Sequence, residues 1–114
     1  MFGLFGGKTS YVPLTISMDK AQSELENDKD IVLVDVRNPD EYRQGHIKNS
    51  VNLPLGNLAE GLAQKVPDKV KRIFVYCLSG NRSGQAVNWM MRNGYGNVVN
   101  IGGITSWSGP VVRG

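Results

Sequence analysis

RIFVYCLSGNRSGQAVNWMMRNG, residues 72–94, is the stretch from which the fold can be read. Arg72 to Cys77 is an apolar, β-branched and aromatic run of the kind that forms a strand buried on both faces. From Ser83, placed as a cap, Ala86, Val87, Met90 and Met91 recur at helical spacing as far as Asn93, with Gly94 as C-cap. Between them Leu78-Ser79-Gly80-Asn81-Arg82 is a polar loop. Working outward, Ile31–Asp35 (IVLVD) is a second buried strand, and Asn38 caps a short helix with Pro39 at its first position and Glu41 closing a capping box. Gly45 ends that helix, and Ser50–Leu53 is a shorter strand before Pro54. Thr15–Met18 is a strand candidate, and Ser17 is placed to cap a helix carrying Met18, Ala21 and Leu25 on one face. Leu58, Leu62 and Val66 have helical spacing that stops before Pro67. Val98–Ile101 is the last strand; Gly102-Gly103 turns the chain into a final short helix bearing Ile104 and Trp107. Strands alternating with helices predict an α/β domain over residues 15–114, a mostly parallel central sheet of about five strands with helices on both faces. Residues 1–14, with Gly3, Gly6 and Gly7, are expected to form a flexible arm.

Composition narrows the function. The 114 residues are 40% hydrophobic and 20% charged, and 13 basic against 10 acidic side chains leave a formal charge of +3. That is the composition of one globular domain and not of a disordered chain. The excess charge suits a small anionic substrate and is too slight to imply nucleic acid. The longest apolar stretch, Ile73–Leu78, is far short of the roughly 18 residues that span a bilayer. No basic region precedes the apolar residues of MFGLFGGK and no cleavage pattern follows, so no secretory signal and a cytoplasmic location are expected. Cys77 is the single cysteine and His46 the single imidazole, which excludes an intramolecular disulfide framework and a structural zinc site. Neither a metal nor a cofactor is expected. One thiol is left free to do chemistry.

Ligands of such folds gather beyond the carboxyl ends of the strands, where Cys77 closes one strand and Asp35 its neighbour. A thiol there sits over a short loop whose N–H groups can turn inward, at the positive end of a helix. Both features favour an anion and depress a thiol from about 8.5. Gly80 permits the tight backbone path, and Arg82 adds a permanent charge with planar donors suited to an oxyanion. A buried cysteine packed as a small hydrophobe is the alternative, but such a residue gives no reason for a polar loop and a cation to follow it.

CLSGNRS resembles the active loop of the rhodanese-like sulfurtransferases, which runs Cys-x-x-Gly-x-Arg-Ser/Thr. VDVRNPDEYRQGHIKNSVNLP (residues 34–54) is similar to the family's N-terminal signature, with Asp35, Arg37, Glu41, Gly45, His46, Ile47 and Pro54 in place. VVNIGGITSWSG (residues 98–109) is similar to its C-terminal signature in Gly102, Gly103, Ile104 and Trp107. The resemblance runs from about Thr15 to the end. Two positions depart from it: Asn49-Ser50 stands where Gly-Ala is usual, and Leu78 where a basic or polar residue is frequent. The resemblance implies a single rhodanese-like domain whose cysteine, Cys77, takes the outer sulfur of thiosulfate or a persulfide. The sulfur is held as a persulfide and passed to cyanide or a thiol, with an acceptor protein as a further partner. It implies that Leu78, Ser79, Gly80, Asn81, Arg82 and Ser83 handle the donor, and that Asp35 and Arg37 support the site.

Two other functions compete. A phosphatase or arsenate reductase resembles Cys-x5-Arg, whereas only four residues separate Cys77 from Arg82, and no residue in or beside the loop offers the general acid an alkoxide leaving group needs. A sulfur carrier or regulatory module that only binds a protein partner would be marked by loss of the cysteine, which is present. Asp35 is placed either to hold the loop or to pair with Arg37, while Arg37 and Glu41, at i and i+4, predict a scaffold salt bridge. His46 is expected to orient its turn, and Trp107 either walls the pocket or joins the core. Lys65, Lys69, Lys71 and Arg72 either steer an anion or form a solvated loop.

Overall fold

The two runs read as buried strands lie side by side at the centre of the sheet. A computed structural model of the chain describes residues 14–114. In it the strands β1 (Leu14–Thr15), β2 (Val32–Asp35), β4 (Val51–Asn52), β5 (Ile73–Cys77) and β6 (Val98–Gly103) form one sheet in the order β1-β6-β5-β2-β4. Every pairing in it is parallel. The helices are α1 (Met18–Asn27), α2 (Pro39–Gln44), α3 (Leu58–Lys65) and α4 (Asn81–Arg92). The expected α/β class, five-strand parallel sheet and helices on both faces are what the structure contains. No helix among the described residues is long and apolar enough to cross a membrane.

Side chains alternate across a strand, so β5 feeds two cores at once. Ile73, Val75 and Cys77 pack with Leu58 and Leu62 of α3 and Ala86, Val87 and Met90 of α4. Phe74 and Tyr76 point the other way, among Met18 and Ala21 of α1, Leu33, Val99 and Ile101. None of the five is more than 1% exposed. Fully burying side chains of this size stabilises by about 1.5–3 kcal/mol each, so β5 is firmly anchored and Cys77, at its end, inherits a fixed position.

Several expectations need correction. The strand candidate Thr15–Met18 is shorter and earlier, Leu14–Thr15, because Ser17 already caps α1 through Lys20 N–H. The arm expected over residues 1–14 lies outside the described residues except for Leu14, which pairs with Val99. Gly102-Gly103 does not turn the chain: β6 runs through Gly103, with a register shift that sets Val75 opposite Asn100 but Tyr76 opposite Gly102. Such a bulge bends a strand without ending it. Beyond β6 the chain makes a single 3-10 turn, Ile104–Ser106, after which Trp107 is extended and packs against the α1-side core. A second sheet has no counterpart among the expectations, with β3 (His46–Ile47) antiparallel to β7 (Val111–Val112). Asn49, one of the two departures, adopts the left-handed region at φ 73°, which asparagine tolerates better than most residues.

Candidate active site

Cys77 ends β5, and three residues later the chain is already helical. The helix begins at Asn81, two residues ahead of the expected start, with Gly80 as its N-cap at φ 106°. That left-handed conformation requires glycine here. A second glycine is required by proximity: a Cβ on Gly103 would stand 2.2 Å from the Leu78 carbonyl oxygen. The cysteine loop is therefore pressed directly onto the end of β6.

Ser83 is not the cap. It lies in the first turn of α4, fully buried, with its Oγ 3.5 Å from Cys77 Sγ. Cys77 Sγ also accepts from the Gly80 N–H at 3.0 Å. Burial pushes the thiol up, but the Ser83 hydroxyl and the N–H groups of Ser83, Gly80 and Ser79 more than offset it, leaving the thiol below its ordinary value. The loop thus favours a sulfur anion, as the expectation from helix start and inward N–H groups required.

The charged residues pair differently from the expectation. Arg37 does not bridge to Glu41. It forks onto Asp35, with contacts of 2.7–3.1 Å, and reaches the Gly45 carbonyl at 2.6 Å. Glu41 instead closes the capping box on Asn38 and accepts from both terminal guanidinium nitrogens of Arg82, at 2.7 and 3.0 Å. Arg82 is therefore not a free cation. Asp35 bonds its own Arg37, through the backbone N–H as well as the guanidinium, and so takes the pairing alternative and not the loop. Asn52 secures the same turn, donating to the carbonyls of Asp35 and Arg37.

Leu78 is 45% exposed at the mouth, and Ser79 and Asn81 are exposed beside it. Ser79, Gly102, Gly103 and Ser106 line a cleft of about 360 Å³ with Ser17 and Asp19 from the start of α1. A smaller hollow against Trp107, of about 260 Å³, is lined by Leu25, Leu33 and Ile47 and includes none of the loop. His46 bonds the Tyr42 carbonyl at 2.9 Å and stacks on the Tyr42 ring, so it orients its turn as expected. Arg72 pairs with Glu24 at the opposite end of β5 from Cys77.

Two polar residues of the region have no motif to announce them. Asn100 bonds Ser83, Gly80 and Gly102 and ties α4, the loop and β6 together. Tyr76, whose phenol burial pushes up, accepts the Ile47 N–H and meets the Ser50 hydroxyl at 2.9 Å. Ser50, the second departure, thereby joins a buried polar cluster beneath the turn.

The model of the rhodanese-like domain matches residues 17–110. The chain is 41% identical to the thiosulfate sulfurtransferase PspE of Escherichia coli over 71% of its own length and 78% of that protein. It is 39% identical to a solved Escherichia coli structure described as rhodanese with anions, at a TM-score of 0.70, covering 74% of this chain and 99% of the other. It is also 39% identical to the tRNA uridine(34) hydroxylase of Erwinia tasmaniensis over 72% of its length, but spans only 25% of that protein.

Proposed function

The chain belongs to the rhodanese-like domain family, and on that premise we propose that it is a sulfurtransferase carrying a sulfane sulfur as a persulfide on Cys77. The observation that carries the reading is the seat of the thiol. Cys77 Sγ lies at the start of α4, 3.0 Å from an N–H donor and within reach of the Ser83 hydroxyl. A relative named thiosulfate sulfurtransferase at 41% identity supports thiosulfate as one donor.

The Cys77 thiolate attacks the outer sulfur of thiosulfate. The S–S bond of the donor breaks, its electron pair leaves with sulfite, and Cys77 holds the transferred sulfur as a persulfide anion. Cyanide or a thiolate then attacks that outer sulfur, the Cys77 S–S bond breaks, and the pair returns to Cys77 as thiolate. Neither step needs activated water, so the loop has only to hold an anion in two positions one sulfur apart. Ser79, Gly80, Asn81 and Ser83 serve through the start of α4, which favours negative charge. With Arg82 bonded to Glu41 and Leu78 exposed, the mouth also suits a persulfide on a small thiol or on an acceptor protein. A cytoplasmic setting, where a single thiol stays reduced, completes the reading.

The test is intact mass after incubation with thiosulfate. A gain of one sulfur atom, removed by cyanide with formation of thiocyanate, is expected. Cys77→Ser, similar in size, should remain folded and lose both the mass gain and all transfer. Transfer by that variant at anything near the parent rate overturns the assignment.

A further inference from the structure

We propose that Asn100 is a positioning residue for Cys77: it holds the Ser83 hydroxyl proton and so decides whether Ser83 accepts from the thiol or donates to the sulfur anion. The inference rests on Cys77 being the sulfur-carrying nucleophile, and its basis is a count of protons and lone pairs.

Ser83 Oγ has one proton and three neighbours that can take it: Asn100 Oδ1 at 2.7 Å, the Gly80 carbonyl at 3.0 Å and Cys77 Sγ at 3.5 Å. The Gly80 carbonyl has two lone pairs, and both have other donors, the Gly84 N–H at 3.1 Å and Asn100 Nδ2 at 3.3 Å. The orientation of the Asn100 amide is set by its partners, because the Gly102 N–H, 2.9 Å away, can only meet the oxygen. The hydroxyl proton therefore goes to Asn100 in the resting protein. Ser83 then turns a lone pair to Cys77 and accepts from its S–H.

When the sulfur becomes anionic, as thiolate or persulfide, the same hydroxyl can stabilise it only by swinging its proton off Asn100. Asn100 tolerates the loss, because Oδ1 keeps the Gly102 N–H and Nδ2 keeps the Gly80 carbonyl. The bulge in β6 is what makes this possible, since it places Asn100 and Gly102, two residues apart, beside the same loop. The charged groups of the neighbourhood are Arg82 from α4, bonded to Glu41 of α2, Arg37, bonded to Asp35 at the end of β2, and Asp19 of α1, which lines the cleft beside Ser79. Neither pair bonds Cys77 or Ser83.

The experiment measures the pH midpoint of Cys77 alkylation by iodoacetamide, which requires no sulfur transfer and so fails or succeeds independently of the persulfide assignment. Asn100→Asp keeps an acceptor of the same shape and grips the hydroxyl proton harder, so it should raise the midpoint by about one pH unit or more, a tenfold loss of thiolate at a fixed pH below it. Asn100→Ala removes the 2.7 Å acceptor and leaves only the Gly80 carbonyl, a neutral group, to compete with the charged sulfur for the proton, so it should lower the midpoint. In a Ser83→Ala background, Asn100→Ala should shift nothing, and the rise caused by Asn100→Asp should shrink to the part due to its charge alone. A merely structural role predicts that both substitutions loosen the loop and raise the midpoint. That result, unmoved midpoints, or equal shifts with and without the Ser83 hydroxyl would each overturn the proposal. Should Asn100→Ala fail to fold, Asn100→Asp decides alone: a rise of the same size in both backgrounds overturns it.

Discussion

Arg37 and Arg82 are both guanidiniums at the carboxyl end of the sheet, both forked onto a carboxylate, and they differ in water. The side chains of Arg37 and Asp35 are 6% and 0% exposed, and those of Arg82 and Glu41 are 34% and 28% exposed. Burial removes the alternative partners of the first pair. Its Nε and Nη2 donors are spent on Asp35 and the Gly45 carbonyl, and it locks the end of β2 to the end of α2. The second pair joins α2 to the cysteine loop across 41 residues while leaving water, and therefore an incoming anion, able to compete for Arg82. The same two residue types thus make a scaffold in one place and a releasable contact in the other.

The largest effect should come from breaking the buried pair. Arg37→Ala leaves the Asp35 carboxylate buried and uncompensated, a loss of about 3–5 kcal/mol. Urea unfolding should show a lower midpoint at an unchanged slope. Arg37→Lys should recover little of it, because an ammonium cannot fork onto Asp35 while reaching Gly45. A variant within about 1 kcal/mol of the parent would mean that the pair is not the lock described here.

The half-exposed pair should behave oppositely, with little effect on stability and more on turnover. Arg82→Ala should change stability by no more than about 1 kcal/mol. If Arg82 leaves Glu41 to meet a sulfonate, a charge-assisted contact of roughly 1.5–3 kcal/mol is lost with it, and kcat/KM for thiosulfate should fall by one to two factors of ten. Glu41→Gln should move the other way, since it releases Arg82, and a fall with both variants would show that the pair serves only to hold the loop. The pH dependence has a definite sign. The Arg82 hydrogen bond holds the Glu41 carboxyl below its ordinary value, so the stabilisation is present above about pH 4.3 and is lost as pH falls through the depressed value. Acid releases Arg82 just as Glu41→Gln does.

The exchange of partners between these arginines is also where the sequence was least legible. Strand runs, helix spacing, the Asn38 capping box and the placing of Cys77 at a strand-to-helix junction are local patterns, and they locate the two central strands and the four helices, whereas the bounds of β1, the start of α4 and the path after Ile101 differ from the expectation. Glu41 stands at i+4 from Arg37, and spacing alone assigns them to each other. The cap turns the Glu41 carboxylate back to the Asn38 N–H, where Arg82 meets it, while Arg37 is drawn into Asp35. Pairs of polar side chains far apart in the chain have no period to betray them, and Asn100, bonded to Ser83 across 17 residues, was invisible for the same reason. The two-residue strands β3 and β7 are too short to carry alternation, so their pairing had no signal either.

The smallest effect concerns the one loop side chain that is both apolar and exposed. Leu78 is 45% exposed beside the thiol, and its backbone is fixed from behind by the close approach of Gly103 and by Thr105, whose hydroxyl meets the Leu78 carbonyl at 3.4 Å. A substitution there changes the mouth without moving the loop. With Arg82 and Arg37 both paired, Leu78→Arg would place a cation at the mouth with no carboxylate already bonded to it. Because the position is open to water, the gain is that of an exposed ion contact, up to about 1 kcal/mol, or a few-fold in kcat/KM for thiosulfate. It should fade as salt is raised, since a Debye length near 8 Å at physiological ionic strength screens exposed charges. An uncharged persulfide donor should be used at an unchanged rate. Equal gains for both donors would mean that the substitution acts on the thiol itself, and no gain for thiosulfate would place the path of the anion on the Ser79 side of the loop.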